Sequence, residues 1–120
     1  MNREYWLVII INAALKAGQE ILSVYNSDFL VESKDDQSPL TEADKRAHTV
    51  IAKALEITNI PILSEEGVQT AYQDRKAWKQ FWMVDPLDGT KEFVKRNGEF
   101  TVNIALIENG KPTMGVIYVP

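Results

Sequence analysis

The spacing of apolar residues changes once along this 120-residue chain, from a helical period to a strand period. Before Pro61, apolar side chains recur every three or four positions, which is typical of one face of a helix. After Pro61, they occur in short β-rich runs bounded by Asp, Asn, Gly and Pro. The order of helices followed by strands predicts an α+β fold, with two helices packed on one face of a mostly antiparallel sheet.

The first helix is predicted from Tyr5 to Tyr25. The apolar stretch at its start, residues 6–14, is interrupted by Asn12 and lacks the length of a membrane span and a small-residue cleavage site. We therefore interpret it as part of a core-facing helix and predict no transmembrane segment. The residues expected to face the core are Trp6, Ile10, Ala13, Ala17, Ile21 and Val24.

The second helix is predicted to begin at Thr41 and to end near Asn59. Thr41 and Asp44 have the spacing of a capping box, and apolar residues follow at helical intervals. Residues 26–39, between the two helices, are polar and predict a loop, which is expected to be the most mobile segment.

Four strands are expected after the helices. Residues 62–63 form a short strand, and residues 81–84 form a second strand that is expected to stop at Asp85. Residues 101–107 and 113–119 flank Asn109 and Gly110, which can supply the positive φ angles of a tight hairpin turn. These last two strands are therefore predicted to be antiparallel neighbours.

The charge and cysteine content exclude several kinds of protein. With 13 basic and 17 acidic side chains, the net charge is -4, so the chain lacks the broad basic surface that binds polymeric nucleic acid. The chain contains no cysteine, which excludes disulfides and thiolate metal sites.

The string at residues 82–90 carries the most specific chemical signal. It places Asp85 and Asp88 three residues apart, on what reads as a tight turn set by Pro86 and Gly89. Mg²⁺ prefers oxygen ligands, and the two carboxylates with the backbone carbonyl of Leu87 fit that preference. The alternative interpretation is an ordinary surface turn between strands.

Glu65 strengthens the metal interpretation. If the two strands pair in parallel, their carboxyl ends bring Glu65 beside Asp85. Carboxylates so close together repel one another unless a cation neutralises them. Glu66 follows Glu65 directly, and one member of this pair is expected to be a solvated surface acid.

The residues after the acidic string suggest a phosphate site. The backbone N–H groups of Gly89, Thr90 and Lys91 are consecutive and can bind an anion if they open a helix. Thr90 can orient the attacking water or cap that helix. The cations Lys91, Lys95 and Arg96 form either a solvated face or a contact for a second phosphate.

Asp44 and His48 are less specific. Asp44 is either the acid of the capping box or an outer ligand that orients water near the acidic cluster. His48, the only histidine, lacks a surrounding motif and is interpreted as structural rather than catalytic.

Three elements together resemble the inositol monophosphatase superfamily of lithium-sensitive, magnesium-dependent phosphatases. They are residues 41–44 (Thr-Glu-Ala-Asp), residues 65–66 (Glu-Glu) and residues 85–90 (Asp-Pro-Leu-Asp-Gly-Thr), in the family's order. Residues 63–66 and 91–106 are similar to the bacterial CysQ-type 3'(2'),5'-bisphosphate nucleotidases within that superfamily.

The resemblance implies a role for each matching position. Glu65, Asp85, the Leu87 carbonyl and Asp88 would bind two or three Mg²⁺ ions, with Glu65 also activating water. Thr90 would orient that water and Asp44 would assist. The substrate phosphate would lie against Glu65, Leu87, Asp88, Gly89 and Thr90.

The family's fold is a layered αβαβα arrangement, and the chain departs from it in one respect. Members are longer and carry a later Trp-Asp-x-Ala-Ala-Gly element, which this sequence does not contain. We therefore expect residues 1–120 to form the metal-binding amino-terminal half, without the carboxy-terminal domain. The missing half, or a second copy of the chain, is expected to cover the exposed sheet face.

The expected activity is hydrolysis of the 3'-phosphate of adenosine 3',5'-bisphosphate to AMP. An inositol monophosphatase is the alternative within the superfamily, and a noncatalytic cation-binding α+β module is the alternative from another class. A cytoplasmic location is expected, with a peripheral position at the inner face of the cell membrane as its variant.

Overall fold

The computed structural model describes residues 3–25, 39–64, 77–89 and 99–120, and the side chains of residues 39–41 are not described. Two helices come first and a four-stranded sheet follows, so the predicted α+β order is confirmed. The loop predicted at residues 26–39 lies, apart from Pro39, outside the described residues. The elements are α1 (Arg3–Tyr25), α2 (Pro39–Leu55), β1 (Ile62–Ser64), β2 (Gln80–Asp88), β3 (Thr101–Glu108) and β4 (Lys111–Tyr118).

Helix α1 buries one continuous face. All six residues predicted for that face are buried, together with Ala14 and Gly18. With 23 residues, α1 as a whole is long and apolar enough to cross a membrane by length and composition, although residues 6–14 by themselves are not. Core helices meet the same criterion, and α1 packs here against α2, β3 and β4.

Helix α2 begins at Pro39, so the prediction that Thr41 starts it is wrong. Proline fits the first turn of a helix, because its missing N–H has no partner to lose there and its fixed φ angle is already helical. The α-helix ends at Leu55 and is followed by a 3₁₀ turn, Glu56–Thr58. Asn59 then adopts a left-handed conformation at φ 54°, which ends the helical segment where predicted.

The strand order in the sheet is β1-β2-β3-β4. β1 runs parallel to β2, with Ser64 opposite Val84, and the remaining pairs are antiparallel. The predicted antiparallel pairing of the last two strands is confirmed. Asn109 and Gly110 connect β3 to β4 with φ angles of 53° and 79°. These are the positive values that the two-residue hairpin turn requires.

Both helices lie on one face of the sheet and form the core with it. Trp82 is fully buried at its centre and meets Trp6 edge-on, with ring centroids 6.2 Å apart. The Trp82 indole N–H donates to Oγ1 of Thr58 at 3.0 Å, which ties β2 to the end of α2. On the opposite face, Met83 and Ile117 are 47% and 74% exposed, so within the described residues this face is open.

Candidate metal and phosphate site

A β-bulge shapes the acidic string. Asp85 pairs with Asn103 on β3, and Asp88 pairs with Thr101, so three steps along β2 match two steps along β3. The prediction that the strand stops at Asp85 is therefore wrong, because the strand continues through the bulge to Asp88. Pro86 lies inside the bulge, where the regular ladder does not need its missing N–H.

The bulge places both carboxylates on one face of the sheet. Residues three apart in a regular strand point to opposite faces, and one extra residue restores the same face. Asp85 and Asp88 are accordingly both exposed, whereas Pro86 and Leu87 between them are buried. Both acids therefore lie on the same face and line the same groove, as the metal interpretation requires.

Gly89 ends this strand with φ at 101°, a conformation that L side chains rarely adopt. The strand ends at Asp88, directly before this glycine. Thr90 and the cations Lys91, Lys95 and Arg96 follow but lie outside the described residues, so the predicted anion-binding amides stay a prediction.

Glu65 is one residue beyond the described end of β1. Ser64 pairs in parallel with Val84, and the next residues of the two chains are Glu65 and Asp85. The parallel pairing on which the Glu65 prediction rested is confirmed. The positions of Glu65 and Glu66 themselves lie outside the described residues.

Asp44 is buried on α2, with 9% of its surface exposed. Because α2 starts at Pro39, Asp44 does not lie at the N3 position of a helix that begins after Thr41, and the capping-box interpretation is wrong. Within the described residues, Asp44 does not join Asp85 and Asp88 in a three-acid group that could bind a metal. Its role as an outer ligand stays a prediction.

His48 lies one turn beyond Asp44 on the same helix. The residue is half-buried, and its Nδ1 atom is buried with no hydrogen-bond partner among the described residues. It does not line the groove next to the two acids, so the structure adds nothing to link it to them.

The two carboxylates lie at one end of an open groove on the exposed sheet face. The groove has a volume of about 720 Å³ and is lined mainly by apolar residues of β2, β3 and β4, including Met83, Ala105 and Ile117. The acidic end of the groove can bind a cation together with its anionic ligand, whereas the apolar part of the groove cannot.

The sequence analysis missed two residues that pair with the acids, Thr101 and Asn103, of which Asn103 also lines the groove. They lie opposite Asp88 and Asp85, and the Asn103 side-chain amide donates to Oγ1 of Thr101 at 3.0 Å. The alternation of β3 places them on the face opposite the buried Val102 and Ile104, but only the register with β2 relates them to the acids.

The residues present fit a hard divalent cation. The described donors are oxygen atoms only, from Asp85 and Asp88 with the backbone of Leu87 between them. Mg²⁺ typically binds one or two carboxylates together with water and phosphate oxygens, so two exposed acids with open space around them suit it.

Comparison with known proteins identifies the family. The pattern of the inositol monophosphatase family matches residues 2–120. The chain belongs to that family. Enzymes of the family are in general magnesium-dependent phosphatases, and the predicted resemblance is confirmed.

Two of the proteins that are similar to this chain are CysQ proteins. The 3'(2'),5'-bisphosphate nucleotidase CysQ of Salmonella typhimurium is 55% identical over 111 residues, which cover 89% of this chain and 45% of that protein. The crystal structure of CysQ from Bacteroides thetaiotaomicron superposes with a TM-score of 0.90 at 56% identity, covering 95% of this chain and 42% of the other.

An inositol monophosphatase from Anabaena is a more distant neighbour. It matches with a TM-score of 0.77 and 31% identity over the whole chain and 42% of its own length. The fold is therefore the amino-terminal part of the inositol monophosphatase fold. In each of these three comparisons, the chain spans less than half the length of the protein that it matches.

Proposed function

We propose that this chain forms the metal-binding part of a magnesium-dependent 3'(2'),5'-bisphosphate nucleotidase, which converts adenosine 3',5'-bisphosphate to AMP. The observation that carries the proposal is the bulge that sets Asp85 and Asp88 on one face, in a chain 55% identical to such a nucleotidase. The identity to the inositol monophosphatase is lower, at 31%, which favours the nucleotide substrate.

In the proposed reaction, Asp85, Asp88, the Leu87 carbonyl and Glu65 hold the metal. Bound Mg²⁺ ions lower the pKa of a coordinated water and stabilise the negative charge of the transition state. The chain's own residues position the water and the phosphate. The Thr90 hydroxyl forms a hydrogen bond with the water, and the backbone N–H groups of Gly89 and Thr90 donate to the phosphate. The water oxygen would bond to phosphorus and give up one proton as the bond from phosphorus to the 3' oxygen breaks. The 3' oxygen would take up a proton in exchange, so that the products are AMP and hydrogen phosphate.

The second phosphate of the substrate needs its own contact. Lys91, Lys95 and Arg96 are close in sequence to the metal-binding string and have the charge to bind it. An inositol monophosphate lacks that second phosphate, so these cations would distinguish the two substrates.

The enzyme is expected to be cytoplasmic or attached peripherally to the inner face of the membrane. Inhibition by lithium is expected, as for the family.

The test compares two substrates on the full-length protein at one magnesium concentration. Release of phosphate from adenosine 3',5'-bisphosphate is expected to have the higher kcat/KM. A higher value for inositol monophosphate would replace the nucleotidase by the alternative of the same family. A full-length protein that binds a cation but hydrolyses neither would support the noncatalytic module.

A further inference from the structure

Two polar residues of β3 face the two acids of β2 across the sheet. Asn103 lies opposite Asp85, and Thr101 lies opposite Asp88. Directly opposed residues of an antiparallel pair have Cβ atoms about 4.5 to 5.5 Å apart, which is within reach of their polar ends. The bulge is what keeps both pairs in register, because without the extra residue only one of them would form.

The two β3 residues are joined by a hydrogen bond. The Asn103 amide nitrogen donates to Oγ1 of Thr101 at 3.0 Å, which uses one of the two amide N–H groups. The other N–H of Asn103 and the hydroxyl proton of Thr101 remain for other acceptors. A carboxylate that has ionised offers only acceptors, so the chemistry of each pair is complementary.

A purely structural role explains the pair poorly. Both residues are half-buried, Asn103 lines the groove, and neither belongs to the apolar core on the helix side. Threonine is common in strands, but asparagine is depleted there, so strand propensity does not account for Asn103. An amide that is fixed by a hydroxyl gives instead a donor with a defined direction.

We infer that Asn103 and Thr101 are positioning residues that orient the Asp85 and Asp88 carboxylates toward the metal. The inference rests on the proposed function, because it takes the two acids as metal ligands. Hydrogen bonds to ligating carboxylates fix their orientation, and loss of such partners typically lowers metal affinity by about 10- to 100-fold. Asn103 and Thr101 would therefore set how tightly the site holds its cation without touching it.

The test uses near-isosteric variants of the full-length protein. Thr101→Val and Asn103→Leu keep the shape of each side chain and remove its hydrogen-bonding groups, whereas Thr101→Ser keeps the hydroxyl and is the matched control. Binding is measured with Mn²⁺ alone, from the electron paramagnetic resonance signal of the free ion. Thermal unfolding without metal reports any loss of folding.

We expect Thr101→Val and Asn103→Leu to weaken Mn²⁺ binding by about tenfold or more, at unchanged unfolding temperature, and Thr101→Ser to bind like the wild type. The magnesium concentration for half-maximal activity should rise in parallel, with kcat recovering at saturating metal. If both isosteric variants bind Mn²⁺ with wild-type affinity, the inference is wrong and the proposed function is unaffected. A wild type that binds Mn²⁺ but cleaves no phosphate ester would overturn the proposed function and leave the inference standing.

Discussion

Gly89 approaches Phe100 so closely that a Cβ atom at position 89 would lie 3.1 Å from the Phe100 Cα atom. The same Cβ would be 2.9 Å from the backbone oxygen of Glu99, and the φ angle of Gly89 is 101°. Backbone atoms cannot move aside as a side chain can. The glycine after the second acid is therefore required by the packing of β2 against the start of β3, in addition to its predicted contact with phosphate.

Gly89→Ala should consequently destabilise the protein by about 2 to 4 kcal/mol, the sum of an unfavourable φ angle and a steric overlap. Gly110→Ala is the matched control, since Gly110 also has a positive φ angle but has open space around its would-be Cβ. The control should lose only about 1 kcal/mol. Urea unfolding of both variants measures the difference, and equal losses would show that the close approach does not matter.

The hydrogen bond between Trp82 and Thr58 gives a second prediction. Thr58→Val removes the acceptor of an indole N–H that is fully buried, and a buried donor left without a partner costs about 1 to 3 kcal/mol. Thr58→Ser keeps the acceptor and should lose much less. Denaturant unfolding followed by tryptophan fluorescence measures both changes, and equal stability of the valine and serine variants would contradict this account.

Glu108 links stability to pH at the end of the sheet far from the acids. Hydrogen bonds from Thr113 at 2.6 Å and Gln80 at 2.7 Å, followed by Arg3, lower the pKa of Glu108 from 4.5 to about 2. The stabilisation is complete above pH 4.5, where the carboxyl is ionised in the folded and unfolded chains. It is lost as the pH falls from 4.5 to about 2, because the unfolded chain then binds the proton more readily.

Glu108→Gln should abolish that part of the pH dependence. Unfolding free energies of wild type and variant, measured from pH 6 downward, should therefore converge in the acid range. Glu4→Gln removes an exposed acid from the same end of α1 and leaves these hydrogen bonds in place, so its curve should run parallel to the wild type. A constant difference between the Glu108→Gln and wild-type curves over that range would refute the assignment.

The helices and strand pairings could be predicted because each depends on a local pattern. The six core positions of α1 follow a 3.6-residue period, and Asn109 and Gly110 are among the few residues that tolerate the hairpin's φ angles. The start of α2 was misplaced because Thr41 and Asp44 imitate a capping box, whereas Pro39 is the better first residue of a helix.

The site was predicted in composition but not in geometry. The motif predicts Asp85 and Asp88 as metal ligands, but Pro86 and Gly89 indicate a turn as readily as a bulge. The distinction depends on pairing with β3, which lies more than ten residues further along the chain. Asn103 and Thr101 could not be assigned to the site from the sequence for the same reason, since their relation to the acids exists only through the register.

The metal ligands give a further prediction, tested on the full-length protein. Asp85→Asn and Glu65→Gln should each weaken Mg²⁺ binding and reduce turnover by orders of magnitude, because each removes a charged ligand from a site built of acids. Glu66→Gln is the control and should be mild. A larger loss for Glu66→Gln than for Glu65→Gln would reverse the assignment within that pair.

The open sheet face leads to the last prediction, which concerns the 120-residue chain by itself. Met83, Ile117 and Val119 are 47%, 74% and 61% exposed, and the edge strand β4 has no partner on its outer side within the described sheet. Exposed apolar faces and unpaired edges favour association. The isolated chain should therefore self-associate, which analytical ultracentrifugation over a range of concentrations measures.

The same chain should have little phosphatase activity. In two-metal catalysis, the attacking and leaving oxygens are each stabilised by a cation, and two described acids with Glu65 do not complete two sites. Its matches cover only 45% of the Salmonella relative, so the residues that would complete the second site lie elsewhere in a protein of that length. Adding the remaining half in trans should restore activity and reduce self-association together, because that half would supply the missing ligands and cover the open sheet face. A monomeric 120-residue chain that cleaves adenosine 3',5'-bisphosphate as fast as the full-length protein would contradict both expectations.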